Sequence, residues 1–388
     1  MKVIFWGILV FWFLLAGCDN GGAGGAGGAG GSGGVGGTGK KGGAGNVAGT
    51  GVYITGSYKH NGQDMACYWK DGVRTNLSFS AGKSVTLTYS DFITTAITVS
   101  EGSIHIAGNH YTADMIEVEE GSYYMINERL SAFYWKDGVI TYLPAEETVE
   151  TIASAIAVSD GSVYIAGYYY YDNNNSYIAC YWKDGVKIDL PSGTDGASAL
   201  AIAISEESVY IAGMEGFMKK ACYWKDGVKI DLPVESVAAT ARGIAVSDGS
   251  VYVAGYYNHN NSYTTACYWK DGVKIDLPFG TEGAYAFAIT ISEDSVYIAG
   301  ELLALLYDSY GNAYNPRTAC YWKDGVRTEL PGTNASVKSI AVSKDSIYIA
   351  GTHNHNGYSQ SCYWKDGVKI DLPSGYSASQ ANGIAIVE

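Results

Sequence analysis

Ala155-Ile-Ala-Val-Ser-Asp-Gly-Ser-Val-Tyr-Ile-Ala-Gly167, then a polar stretch, then Ala179-Cys-Tyr-Trp-Lys-Asp-Gly-Val-Lys-Ile-Asp-Leu-Pro191: these two runs decide the fold. They contain four short β-type segments, designated a (155–159), b (163–168), c (179–183) and d (186–190). Asp160-Gly161 joins a to b, and Asp184-Gly185 joins c to d. Asp-Gly between apolar runs marks a two-residue hairpin, because a type I′ turn needs positive φ at both positions. No helical periodicity runs through the repeats.

Working outward, Tyr-Trp-Lys-Asp-Gly recurs seven times, around Trp69, Trp135, Trp182, Trp224, Trp269, Trp322 and Trp364. Successive tryptophans lie 66, 47, 42, 45, 53 and 42 residues apart by subtraction. Four strands and such a period describe one blade of a β-propeller. The ends of the chain complement each other. Val52-Tyr-Ile-Thr-Gly56 is a b segment without its a, and Gly383-Ile-Ala-Ile-Val-Glu388 is an a segment without its b. Counting a segments near Thr95, Ala155, Ala201, Gly243, Ala288, Ser339 and Gly383 gives seven. The expected fold is all-β: a seven-bladed β-propeller of four-stranded antiparallel blades, closed by the C-terminal strand joining the first blade. An open solenoid would leave both half-units unexplained. Segment a is small and apolar, suited to the crowded axis. Segment d alternates charges and ends at proline, as an unpaired outer edge should.

The N-terminus reads differently. Lys2 precedes an apolar run over 3–14, and Leu15-Ala16-Gly17-Cys18 follows. A basic start, a short apolar stretch and small residues read as an export signal, too short for a membrane span. Leu-Ala-Gly-Cys resembles the lipobox of bacterial lipoproteins. That resemblance implies cleavage before Cys18, lipid attachment at Cys18 and anchoring in a membrane, where several acyl chains hold firmly. The expected domains are a signal peptide (1–17), a lipidated cysteine with a glycine-rich tether (18–50) and the propeller (51–388). A flexible chain of this length spans about 30 Å. Asp19 marks inner-membrane retention in some lineages and not in others, so the expected location is the cell envelope, surface-exposed or periplasmic. The repeated unit over 51–388 resembles that of bacterial HAF-repeat proteins, with a Trp, a glycine-containing turn, a Leu and then a small-residue strand. That resemblance implies export and surface display, and no activity.

A formal charge of −14 leaves no basic stripe for nucleic acid. Besides Cys18 there are six cysteines, Cys67, Cys180, Cys222, Cys267, Cys320 and Cys362, each two residues before a repeat Trp. Equivalent points on neighbouring blades stand about 10 Å apart, beyond the roughly 7 Å that a disulfide spans. Phe133 takes the position in the second blade. Buried, unpaired thiols filling inter-blade space are therefore expected.

Connectivity sorts the hairpins. The a–b and c–d turns share one face and are tight; the b–c and d–a loops share the other and vary. Variable loops on a rigid scaffold are the usual place for binding. The b–c loops read 58–65, 109–130, 168–178, 214–220, 256–265, 301–318 and 352–360, rich in Tyr, Asn, His, Ser and Gly. Tyr supplies rigid contact area and Asn and Ser adaptable hydrogen bonds. Candidate ligand-binding residues are Tyr111, Tyr123, Tyr124, Tyr169, Tyr170, Asp172, Asn174, Tyr257, Asn260, Tyr307, Tyr310 and Tyr314. The expected partner is a protein or glycan, with the propeller itself monomeric. His60, His110, His259 and His355 read as solvated loop residues without metal-ligand spacing. Asp172-x-Asn174-x-Ser176 starts like a calcium loop but lacks its later Gly and Glu. No cofactor or metal is expected. The Lys-Asp of each repeat points to packing and turn chemistry, since catalysis needs one unique constellation. Asp114, Glu117, Glu119 and Glu120 are the carboxylates a glycan hydrolase would use. A non-enzymatic binding protein is expected ahead of a periplasmic scaffold or a hydrolase.

Overall fold

The computed structural model describes residues 48–77, 88–119, 122–144, 150–171, 176–216, 219–236, 238–259, 263–278, 283–304, 306–307, 313–314, 316–374 and 378–388. The expected signal segment, Cys18 and nearly all of the expected tether lie outside them.

Each repeat folds into four antiparallel strands, and there are seven such sheets. In blade 3, strand a is Thr151–Ser159, b is Ser162–Tyr171, c is Ser176–Lys183 and d is Val186–Asp189, with d at one edge and a at the other. Blade 1 takes strands b, c and d from Gly51–His60, Gln63–Lys70 and Val73–Asn76, and its strand a from the far end of the chain, Ser379–Val387. Tyr53 pairs with Ala385 across that junction. Each a strand packs against the a strand of the next blade, all the way round, so the seven inner strands form a closed ring.

The strands run further than the sequence segments. Strand a of blade 3 begins at Thr151 because pairing continues across a one-residue bulge at Ser154. Every blade has this bulge, at Asn382, Thr95, Ser154, Leu200, Arg242, Phe287 and Lys338. A bulge bends the strand and leaves one residue unpaired. Its counterpart is the glycine of Ile-Ala-Gly on strand b. A Cβ on Gly167 would stand 2.0 Å from the Ile152 carbonyl oxygen and 2.9 Å from the Trp182 ring. Only glycine admits that approach.

The c–d turns have the backbone the sequence demands, with Asp184 at φ 50° and Gly185 at φ 83°. The aspartate has a second use. Its carboxylate accepts the N–H of the second residue of strand b, as Asp184 does from Val163 at 2.8 Å, and all seven blades repeat the bond. In six blades the preceding lysine lies over a strand-b tyrosine ring, 5.1 Å away for Lys183 and Tyr164. Packing and turn chemistry account for Lys-Asp.

There is no single core. Apolar side chains gather in seven clusters, one at each inter-blade interface. Six repeat tryptophans are completely buried there, and Trp135 nearly so. Their indole N–H groups reach into the preceding blade: Trp182 donates to the Pro144 carbonyl at 3.0 Å and Trp224 to Pro191 at 2.8 Å. Trp135 has no partner among the described residues. The corresponding position of blade 1 is Ser78, which is outside them. The six cysteines are buried and unpaired in the same interfaces, and burial pushes the Cys67 and Cys222 thiols up to about 12.

Candidate functional site

The b–c face is built by strand length more than by loops, which corrects the sequence boundaries. Blades 1 and 7 close with Asn61-Gly62 and Asn356-Gly357 at positive φ, so most of 58–65 and 352–360 is paired strand. In blade 2 the expected long loop 109–130 is strand on both sides, Ser103–Glu119 paired with Ser122–Lys136. Strand b of blade 2 has 17 residues where that of blade 4 has 8. At about 3.3 Å per residue, the difference carries the hairpin roughly 30 Å further. Blade 6 adds a two-stranded hairpin, Leu306–Tyr307 with Ala313–Tyr314.

The blade-2 extension is a third strand wide at its base, since Thr88–Ser100 continues alongside to pair Thr88 with Asp114. Tyr111 lies on it edge-on to Tyr89, with ring centroids 6.0 Å apart, and its hydroxyl reaches the Met125 sulfur. Burial and Glu128 raise the Tyr111 phenol. Ile116, Met125 and Ile126 are exposed toward its tip. Tyr123 and Tyr124 occupy strand positions opposite Glu117 and Ile116. Asp114 accepts a hydrogen bond from Asn127 at 2.9 Å. Glu117 and Glu119 are strand residues, and Glu120 is outside the described part.

Elsewhere the expected residues divide. Tyr169 and Tyr257 are buried strand residues, 6% exposed each. Lys187 and Lys274 lie over their rings and Asp189 and Asp276 accept from their hydroxyls, so both serve the outer layer of their own blades. Tyr170 is half-buried and meets the Tyr177 ring at 4.6 Å. Tyr307 and Tyr314 occupy the blade-6 hairpin strands. Asp172, Asn174, Asn260 and Tyr310 lie outside the described residues.

His110 departs from its reading as a solvated loop residue. It stacks on Phe92 at 3.7 Å, shares hydrogen bonds with Ser90 and Tyr142, and burial lowers its pKa to about 4. His60 and His355 are exposed. Strand pairing put His110 in a side-chain ladder that a loop assignment could not anticipate. Among the described residues no group of three metal-ligating side chains gathers. A cavity of about 430 Å³, lined by Ala48, Tyr53, Lys70 and Ile104 among others, lies by the tight turns and away from these hairpins.

Sequence reasoning passed over one set of positions entirely. Six of the bulge residues are partly buried and Lys338 is exposed, whereas the residue before each bulge is fully buried, as Ala153, Ala241, Ala286 and Val337 are. Aligned across repeats, that column reads Asn382, Thr95, Ser154, Leu200, Arg242, Phe287, Lys338. Its variability immediately before the conserved small-apolar pattern of segment a, Ala155-Ile-Ala-Val158 in blade 3, was the available signal.

The sequence profile of a β-propeller domain family of unknown function, DUF5122, matches residues 159–187, within blade 3. No curated protein sequence matches. Similar solved structures include YjhT, at 10% identity and TM-score 0.41, covering 72% of this chain and 97% of that one. TolB from Acinetobacter baumannii is similar at 9% identity and TM-score 0.42, covering 86% and 66%. A mutant Aleuria aurantia lectin with α-methyl-L-fucoside is similar at 10% identity and TM-score 0.39, covering 76% and 95%.

Proposed function

We propose that this chain is a lipid-anchored, non-enzymatic binding protein of the cell envelope that engages a protein or glycan through the b–c face of its propeller. The observation that carries the reading is where the seven repeats stop being alike. The tryptophan, the turn aspartate and the strand-b glycine recur around the ring. Among the described residues, blade 2 and blade 6 depart most from the pattern on the b–c face, with the 17-residue strand and the added hairpin. Repeated positions serve the scaffold; departures from repetition on one face serve recognition. Cys18 supplies the lipid anchor, and the glycine-rich segment gives the propeller reach.

The test is replacement of the blade-2 extension and the blade-6 hairpin by the short blade-4 connection. Binding of the variant and the parent is compared on arrays of glycans and candidate surface proteins. Loss of the parent's ligands supports the assignment. Full retention places binding elsewhere. Alanine at Asp114, Glu117, Glu119 and Glu120 abolishes turnover under the hydrolase alternative, whereas this reading expects no turnover to lose.

A further inference from the structure

The blade-2 extension shows solvent the side chains that a fold normally covers. Apart from the valines that open the d strands, the exposed large aliphatic side chains among the described residues are Ile116, Met125, Ile126 and Ile275. Ile116, Met125 and Ile126 lie on the extension and are 48%, 45% and 39% exposed. Ile126 pairs with Asp114, so Ile116 and Ile126 share one face with that carboxylate, and Met125, paired with Met115, takes the other. Among the described residues the third strand ends at Thr88, opposite Asp114, and from Met115 onward two strands stand alone. A two-stranded ribbon is marginal in water unless something packs on it. The scaffold does not need it, because strand b of blade 4 turns after 8 residues. Aliphatic side chains gathered on a dispensable extension mark an interaction surface.

Charge and backbone say what covers it. Residues 111–130 hold Asp114, Glu117, Glu119, Glu120 and Glu128 against the single cation Arg129. Among the described residues neither Asp114 nor Glu128 enters an ion pair. Burial and the nearby Glu128 raise the Glu150 carboxyl, so the negative field extends to the first strand of blade 3. A second copy of this chain, of charge −14, or an anionic lipid surface would meet that field with like charge. The outer edge of strand c is open as well. Strand d pairs with it over Phe133–Lys136, and the Ala132 N–H is taken by the Thr151 hydroxyl. Beyond the bulge at Asn127 and Glu128, no described strand lies against the outer edge of 122–126. An open edge accepts an added strand, whose main-chain bonds give affinity and whose alternate side chains give specificity.

We propose that the blade-2 hairpin docks an extended, basic segment of a partner protein along the edge of strand c, with apolar side chains on Met125 and Ile126 and cationic side chains meeting Glu128 and the neighbouring carboxylates. This rests on the loop-face reading and names the partner class for its blade-2 part.

The probe is a short labelled peptide of alternating Lys and Val, titrated into the full chain and followed by fluorescence anisotropy. It is expected to saturate, whereas a Lys-Ser peptide and a Lys-Val peptide N-methylated at alternate residues bind at least about tenfold more weakly, and a Glu-Val peptide does not bind. The Met125→Thr, Ile126→Thr double variant should lose about tenfold in affinity. The Asp114→Asn, Glu128→Gln double variant should lose about threefold and flatten the dependence on salt. Replacement of the hairpin by the blade-4 connection should abolish binding. No saturation, equal binding of the Lys-Ser or N-methylated peptide, or full affinity in a folded Met125→Thr, Ile126→Thr variant would each overturn the proposal. Hairpin-dependent binding of phosphatidylcholine vesicles, or a hairpin-dependent dimer in sedimentation, without peptide binding would overturn it in favour of a membrane or a second copy. Where the peptide fails but glycan ligands are lost with the hairpin, this proposal falls and the loop-face reading stands. Where no ligand of either kind depends on the hairpins, both fall. Folding of the variants is checked by thermal melting followed through tryptophan fluorescence.

Discussion

The indole of Trp69 donates to the carbonyl of Pro373 at 3.0 Å, across 304 residues of sequence. Trp224 makes the same bond to Pro191 across 33. The contact that joins neighbouring blades is therefore also the contact that closes the ring, and blade 1 has no structural beginning. Trp69→Phe and Trp224→Phe should each cost about 2–3 kcal/mol, the sum of a lost hydrogen bond and a cavity. In an open array the terminal substitution would be the milder. Denaturant midpoints of the two variants compare them directly, and a much smaller effect at Trp69 would contradict closure.

The a–b turns offer a stabilising substitution. Blade 4 makes its turn with Glu206 and Glu207 at φ 49° and 65°, a left-handed backbone that favours glycine. Glu207→Gly should stabilise the protein by about 0.5–1 kcal/mol. The reverse change at an equivalent conformation, Gly161→Ala at φ 75°, should destabilise it, although open space surrounds the position. Melting temperatures of both variants give the sign.

Acid should act through His110. Its folded pKa, about 4, lies below the ordinary value of 6.5, so the unfolded chain binds more protons between the two. Stability from this group is complete above about pH 6.5 and falls as pH drops toward 4. His110→Phe keeps the stacking on Phe92 and removes the proton site. Its melting temperature should fall less than the parent's over that window. Parallel curves would show that another group governs the loss.

The thiols should be silent until the fold is lost. The six propeller cysteines are buried, and their thiolates are disfavoured by desolvation. Native protein should react with almost no aromatic disulfide reagent. If Cys18 carries the proposed lipid, denatured, unreduced full chain purified from membranes should expose six thiols, those of the propeller. Fewer than six would reveal disulfides, and seven would show Cys18 unmodified.

The fold was legible because it rests on repeated, local chemistry. Asp184-Gly185 specified its turn, the d strand's charges specified an edge, and the unmatched ends at Val52 and Val387 specified closure. The b–c face was less so. Asn61-Gly62 and Asn356-Gly357 carried the same turn signal as the Asp-Gly pairs, yet a polar composition read as loop. Tyr169 and Tyr257 looked like loop contacts until strand pairing brought Lys187 and Lys274 over their rings. The axial column from Asn382 to Lys338 was hidden because a bulge breaks the period-2 alternation that assigns faces. The meeting of Arg242, Phe287 and Lys338 depends on packing between three successive blades, which the sequence of any one repeat does not show.

The most direct test of the central claim is protease shaving of intact cells that express the full chain, with a periplasmic protein as the protected control. A propeller held outside by lipidated Cys18 predicts its loss from intact cells while the control survives, and retention of that sensitivity only when Cys18 is present. Protection of the propeller to the same degree as the control would contradict surface display and place its partner within the envelope.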